Sequence, residues 1–268
     1  MSIQVQIRNR CRLCDSGDME LGCPIKPTPV AEKYGANRQQ ALEIPIVGLD
    51  LYRCADCAHV QVLNIVDATY LFNENYTYRS GQTKGIIEHF QDYAERASND
   101  CRLAEKDLVV EIGSNDGTLL KEFADNGASV LGVDPAGTIA AEASTRGIET
   151  IPAFFTPELA SQIKNRHGGA KLVVANNVFA HADDLKGIAE GISDLLAPDG
   201  VYMFEVSYLM DVLDKCLLGT IFHEHLSYHA LAPMIGFLRR HGMKVIDVRR
   251  VGIQGGSIIV SAAKIDGP

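Results

Sequence analysis

One stretch narrows the folds open to this chain more than any other: residues Leu108 to Pro135, LVVEIGSNDGTLLKEFADNGASVLGVDP. An apolar run ends in Glu111-Ile112-Gly113, a short polar loop (Ser114-Asn115-Asp116-Gly117) follows, and helical spacing begins. A second apolar run, Ser129 to Val133, delivers the carboxylate of Asp134. Strand, glycine turn, helix, strand and acid in that order form the front half of a nucleotide-binding α/β unit.

The spacing narrows the nucleotide. Counting from Gly113, Asn115 and Thr118 stand where a G-x-G-x-x-G dinucleotide fingerprint needs glycine, and no phosphate-cradling Gly-Lys-Ser/Thr follows. The pattern is E-x-G-x-x-x-G, with Asp134 placed 17 residues beyond Gly117. Gly113 lets a ligand approach the backbone, and Gly117 permits a sharp start to the helix. Because the loop carries Asp116 rather than a base, it suits a cationic or neutral ligand better than a pyrophosphate. S-adenosylmethionine fits, with its ribose diol on Asp134 and its amino-acid end over Gly113. A doubly wound fold that binds no nucleotide is the plainer alternative.

The 268 residues suffice for one large domain and a small one. A net charge of −9 argues against a nucleic-acid polymer as partner. No apolar run approaches the ~18 residues that span a bilayer, and the N-terminus lacks signal-peptide features. No membrane partner is expected, and a cytoplasmic location is.

Residues 1–80 differ in texture from the rest. Prolines fall at 24, 27, 29 and 45, and two Cys-x-x-Cys knuckles, Cys11/Cys14 and Cys54/Cys57, are 39 residues apart. Each knuckle can put two thiolates on one face of a turn, and two facing turns complete a closed, structural zinc site. A redox pair is the alternative. Cys23, Cys101 and Cys216 stand alone and read as ordinary buried thiols. The expected division is a zinc-binding domain over 1–80 and a nucleotide-binding domain over 81–268.

A segment rich in tyrosine and asparagine, Tyr70 to Thr83, precedes a long helix predicted from about Thr83 to Ala104. Tyr76 and Tyr78 within it are as suited to a ligand-facing role as to packing. Beyond it, strands are predicted near 108–112, 129–133, 148–151, 171–176, 200–206, 244–251 and 256–263. Helices are predicted at 117–126, 136–146, 156–166, 183–196 and 229–241, with Pro198-Asp199-Gly200 as a turn and Gly242 as a helix stop. The fold class is α/β: a seven-stranded, Rossmann-like methyltransferase sheet closing in an antiparallel hairpin.

Ligands of such sheets sit at the carboxyl ends of the strands. Three chemically loaded segments fall there: Asn176–His181, Phe204–Tyr208 and Thr220–His229. Three of the eight histidines, His223, His225 and His229, lie within seven residues. His-Glu-His lacks the helical spacing of a zincin site. In an extended segment His223 and His225 share one face and Glu224 takes the other. General acid–base chemistry, a second metal site and a polar surface loop all stay open for this segment.

Together the paired knuckles, EIGSNDGTLL, GVDPA, NNVFAHADDL, FEVSYL and HEHLSYHAL resemble the S-adenosylmethionine-dependent C-methyltransferases of deoxysugar biosynthesis. The resemblance runs from the cysteine knuckles to Ser257. It implies methyl transfer to C-3 of a nucleotide-linked, dTDP-type 4-keto sugar, by removal of the proton beside the ketone and attack of the resulting carbanion. For this chemistry His225 is the expected base, since a neutral imidazole near its usual ~6.5 can accept a proton at cellular pH. Glu224 orients that ring or binds a sugar substituent, and His181 and Tyr76 steady the enolate oxygen. Glu111, Gly113, Asn115, Gly117, Asp134 and Asn177 fall at positions for the cofactor, and Cys11, Cys14, Cys54 and Cys57 for structural Zn2+. Two departures stand out. Phe222 occupies the place of a family tyrosine, and a C-terminal α/β domain usual in the family is not part of this sequence, as in a truncated or naturally short form. A methyltransferase for another enolisable carbonyl or for an oxygen, and a non-catalytic cofactor-binding module, are the competing readings.

Overall fold

The structure, a computed structural model, describes residues 3–72 and 76–267, so Asn73, Glu74 and Asn75 of the tyrosine-rich segment lie outside the described residues. The N-terminal part is built from short strands: β1 (Val5–Ile7), β2 (Met19–Cys23), β3 (Thr28–Pro29), β4 (Ile46–Val47), β5 (Leu51–Cys54), β6 (Val60–Val62) and β7 (Asn64–Val66). Two small helices, α1 (Arg38–Leu42) and α2 (Ala68–Leu71), accompany them. The long helix α3 (Lys84–Cys101) leads into the α/β part.

There the chain alternates through β8 (Leu108–Ile112), α4 (Thr118–Asp125), β9 (Ser129–Val133), α5 (Gly137–Thr145), β10 (Thr150–Ile151) and α6 (Pro157–His167). It continues through β11 (Ala170–Asn176), α7 (Leu185–Leu195), β12 (Leu196–Ser207), α8 (Leu209–Asp214), β13 (Ser227–Tyr228), α9 (Leu231–Arg240), β14 (Met243–Val251) and β15 (Ser257–Lys264). Seven strands form one sheet in the order β10-β9-β8-β11-β12-β15-β14. Pairings from β10 to β12 are parallel, while β15 runs antiparallel to both β12 and β14. The expected hairpin therefore closes one edge of the sheet.

Helices cover both faces, which is why β8 is apolar and buried on both sides, Glu111 excepted. On one face Phe90 and Tyr93 of α3 and Leu120 and Phe123 of α4 pack on Val109, Leu172 and Val174. On the other, Ile163, Ile192 and Phe237 pack on Val110, Val173 and Phe204. Each fully buried phenylalanine stabilises this core by about 2–3 kcal/mol.

Four features differ from expectation. The strand ending at Ser207 begins at Leu196, and Pro198-Asp199-Gly200 lies in a bulge inside it. There the register with β11 slips from Ala170–Leu196 to Leu172–Val201. Helix α8 was not expected. Strand β13, from the C-terminal half, pairs antiparallel with β6 and completes the N-terminal sheet β13-β6-β5-β2. Of the three lone cysteines only Cys101 is buried. Cys23 is exposed on the outermost strand of that sheet, and Cys216 is exposed just past α8.

Candidate active site and zinc centre

The two cysteine knuckles are matching turns. In each, the first cysteine's carbonyl accepts a backbone hydrogen bond from four residues on (Asp15 and Ala58), and those residues take left-handed φ values of 61° and 63°. The turns face each other with Cys11 Sγ 3.6 Å from Cys57 Sγ and Cys14 Sγ 3.5 Å from Cys54 Sγ. All four sulfurs lie within 4.8 Å of one another, and no other such ligand group occurs among the described residues. Tetrahedral zinc with bonds of about 2.3 Å sets its sulfurs about 3.8 Å apart, so this donor set fits a closed Zn2+ site.

A cavity of about 580 Å³ opens at the carboxyl ends of β8, β9, β11 and β12. On the cofactor side its wall includes Gly113, Asn115, Asp134 and Asn177. Gly113 has φ +68°, and a Cβ there would stand 2.3 Å from Val178 Cγ2, so loop and neighbouring segment touch. Asp134 accepts from the backbone N–H of Asn115 and of Ala136, both at 2.8 Å. Burial raises its pKa despite those bonds. The Asn115 side chain accepts from Ser80 N–H and donates to the Tyr78 carbonyl, which straps residues 78–80 over the loop.

Two expected cofactor residues lie off the cavity wall. Gly117, with φ +76°, caps α4 and packs against Ile148, so it shapes the helix start. Glu111 is buried on β8 with Oε2 lacking a partner. Burial, reinforced by Asp134 and Asp116, pushes its pKa well above the usual carboxylate range. Asp116 also turns away: it accepts from Gly81 N–H and the Thr118 hydroxyl instead of greeting a ligand.

On the opposite wall the His-Glu-His segment is a turn rather than an extended stretch, closed by the bond from His225 N–H to the Phe222 carbonyl at 3.0 Å. The two histidines consequently part company. His223 accepts from Ala31 N–H and donates to the Val47 carbonyl, both at 3.2 Å, which satisfies the ring within the N-terminal part. Glu224 and His225 enter the cavity.

The Thr220 carbonyl, 2.7 Å from His225 Nδ1, can only accept. Nδ1 therefore carries the proton of the neutral ring, and Nε2 is the basic nitrogen. Burial lowers the His225 pKa to about 4, below the ordinary value expected from sequence. His181 lines the same wall, its ring 4.9 Å from that of His225, and burial holds it neutral. Phe222 packs on His225 with ring centroids 4.2 Å apart and planes tilted by 42°. Glu224 does not orient the histidine: its Oε2 accepts from the Tyr76 hydroxyl at 3.4 Å, and Oε1 has no partner. Burial, reinforced by Glu32, raises the Glu224 pKa to about 7. Tyr76 and Tyr78 both face the cavity.

His229 is structural: its Nε2 donates to the Phe179 carbonyl at 3.2 Å and its ring stacks on His59. Sequence reasoning passed over His89 of α3, which reaches the cavity and meets Glu205 of β12. The signal available was a carboxylate inside an otherwise apolar strand, Met203-Phe204-Glu205-Val206.

Sheet order and cavity position define a class I S-adenosylmethionine-dependent methyltransferase fold. A family profile described as "Methyltransferase domain" matches residues 84–248, and one described as "Putative zinc binding domain" matches 11–72. The chain belongs to that methyltransferase family, and its cofactors are S-adenosylmethionine and Zn2+.

It is 37% identical over 255 residues to the C-methyltransferase NovU of Streptomyces niveus, covering 95% of this chain and 60% of that protein. A ubiquinone biosynthesis O-methyltransferase of Colwellia psychrerythraea is 26% identical over 153 residues, 52% of this chain and 61% of that one. The chain thus spans about three fifths of the length of each relative. Among solved structures, an S-adenosylmethionine-dependent methyltransferase from Clostridium acetobutylicum aligns with a TM-score of 0.53 at 14% identity, over 66% of this chain and 92% of that one. The Synechocystis magnesium protoporphyrin IX methyltransferase with bound SAH aligns at 0.51 and 18%, over 67% and 83%. These last two establish the fold alone.

Proposed function

We propose that the protein is a C-methyltransferase acting at C-3, beside the ketone, of a nucleotide-linked (dTDP-type) 4-keto-deoxysugar. The observation that carries this reading is the locked tautomer of His225. Its Nδ1–H is spent on the Thr220 carbonyl, so Nε2 offers a lone pair to a cavity continuous with the glycine loop.

Nε2 of His225 takes the proton from the carbon next to the ketone, and the C–H electron pair moves into the carbonyl to give an enolate. The lowered pKa keeps the ring unprotonated, hence accepting, throughout the neutral range. The negative charge forming opposite the ring restores its basicity as the proton moves. Glu224 in its protonated form donates to the enolate oxygen, the role of a carboxylic acid kept neutral by burial, and the Tyr76 hydroxyl, which donates to Glu224 Oε2, turns to that oxygen when the sugar is bound. His181 packs on His225 and holds it in place. S-adenosylmethionine, when bound, supplies an electrophilic methyl group for the nucleophilic carbon. Asp134 and Gly113 are the groups to hold its ribose and the start of its amino-acid end. Among the described residues no Lys or Arg lines the cavity, so this reading puts the sugar inside and the diphosphate outside.

Deuterium wash-in next to the ketone tests the proposal, because only carbon methylation needs that proton removed. Exchange at C-3 with transfer of methyl to carbon supports it. Methyl transfer without exchange moves the chemistry to an oxygen, a reading that Phe222, in place of a phenol, keeps open.

A further inference from the structure

A polar row on the sheet face that α3 covers meets the cavity at Asn176, Glu205 and His89, with Glu111 behind them and off the cavity wall. Glu111, Asn176 and Glu205 stand on three adjacent strands, β8, β11 and β12, with Asn176 directly opposite Glu205. Each lies two residues beyond an apolar residue of that face, Val109, Val174 and Met203, and so projects to the same side. His89 of α3 comes down on this row, its Nε2 2.6 Å from Glu205 Oε2.

The row is short of partners. The Glu205 side chain is 1% exposed, and its Oε1 bonds to nothing in the protein. Neither amide atom of Asn176 has a partner, nor do Glu111 Oε2 and the Tyr93 hydroxyl. A buried polar atom left unpaired costs about 1–3 kcal/mol, so the unpaired atoms of Asn176 and Glu205, which line the cavity, mark a ligand's place.

The donor set says which ligand. Acceptors predominate, and no Lys or Arg lines the cavity among the described residues, so an anion finds no partner here. The carboxylates and His89 do not gather closely enough to form a metal cluster. A compact cation with several N–H donors satisfies the row: a primary ammonium.

We propose that Glu205, oriented by His89 and flanked by Asn176, receives the α-ammonium of the amino-acid end of the bound S-adenosyl cofactor. His89 is a positioning residue: it fixes Oε2 and leaves Oε1 for the ligand. The assignment adds β12 to the strands that hold the cofactor and is independent of the sugar substrate.

Calorimetry on zinc-loaded protein tests it with three thioethers: S-adenosylhomocysteine, its decarboxylated form, which keeps the ammonium, and 5′-methylthioadenosine, which lacks the amino-acid end. Glu205→Gln weakens the first two by roughly tenfold or more and alters the third by less than about twofold. Equal loss for all three makes the pair structural and overturns the assignment. Tighter binding of S-adenosylhomocysteine by the variant also overturns it, since the site would then face the carboxylate. Should Glu205→Gln not fold, the wild-type protein decides. The decarboxylated thioether must bind about tenfold tighter than its analogue with hydroxyl in place of ammonium, and equal affinity overturns the proposal.

Discussion

Arg12 Nε meets Asp183 Oδ1 at 3.0 Å, joining the first cysteine knuckle to the segment that carries His181. The guanidinium side chain is fully buried and also donates to Gln61 and to the carbonyls of Val62 and Leu226. Leu226 directly follows His225, so one residue between two cysteines of the zinc centre touches both segments that carry the cavity histidines, His181 and His225. Arg12→Met removes a side-chain donor from four acceptors, Asp183, Gln61 and the Val62 and Leu226 carbonyls, and destabilisation of about 2–3 kcal/mol is expected. Thermal unfolding with parallel zinc analysis checks this: a lower midpoint at full zinc content is the expected result. An unchanged midpoint contradicts it.

His225→Asn removes the proposed base without touching the glycine loop. Exchange of the substrate proton should fall by about a hundredfold or more, the usual worth of general-base catalysis. Affinity for S-adenosylmethionine, read by calorimetry, should stay at the wild-type value. Loss of both would make His225 a structural residue.

The two ionisable groups of this wall give opposite pH signatures. His225, with its pKa lowered to about 4, is uncharged above pH about 5 and adds no slope in the neutral range. Glu224, raised to about 7, donates only while protonated, so kcat/KM should fall as pH rises through that value. A profile that climbs through pH 7 would instead make the Glu224 carboxylate the base.

At Gly113 the added methyl of Gly113→Ala collides with Val178 Cγ2 and imposes a left-handed φ on a residue with a side chain. The expected cost is about 2–4 kcal/mol. Pairing it with Val178→Ala should recover the steric share and leave about 1–2 kcal/mol of backbone strain. Chemical denaturation of the single and double variants measures both.

The α/β alternation was legible because parallel strands under two helical layers must be apolar throughout, as Leu108–Ile112 and Ala170–Asn176 nearly are. Cysteine spacing revealed the zinc centre for an equally local reason. What sequence could not carry was direction and long-range pairing. The parting of His223 from His225 depends on a turn whose outer partners, Ala31 and Val47, lie far back in the chain. The union of His89 with Glu205 depends on α3 crossing β12, 116 positions away. Asp116 bore on the charge of the expected ligand, while its backbone partner Gly81 is 35 positions away; Glu111 and Gly117 were read from motif position, and the fold sets both off the cavity wall.

The pairing of β13 with β6 bears on how this molecule comes into being. His59 and Ser227, in hydrogen bond across that pair, are 168 positions apart, so the strand addition closes one of the longest loops in the chain. Contacts of such separation form late, after local helices and neighbouring strands have condensed. The turn bearing Glu224 and His225 lies immediately before β13 and takes its anchorage there. The geometry around the proposed base is therefore expected to mature late, together with the N-terminal sheet that carries the cysteine site. A newly made chain is thus expected to hold its parallel sheet before it sets the proposed base in place.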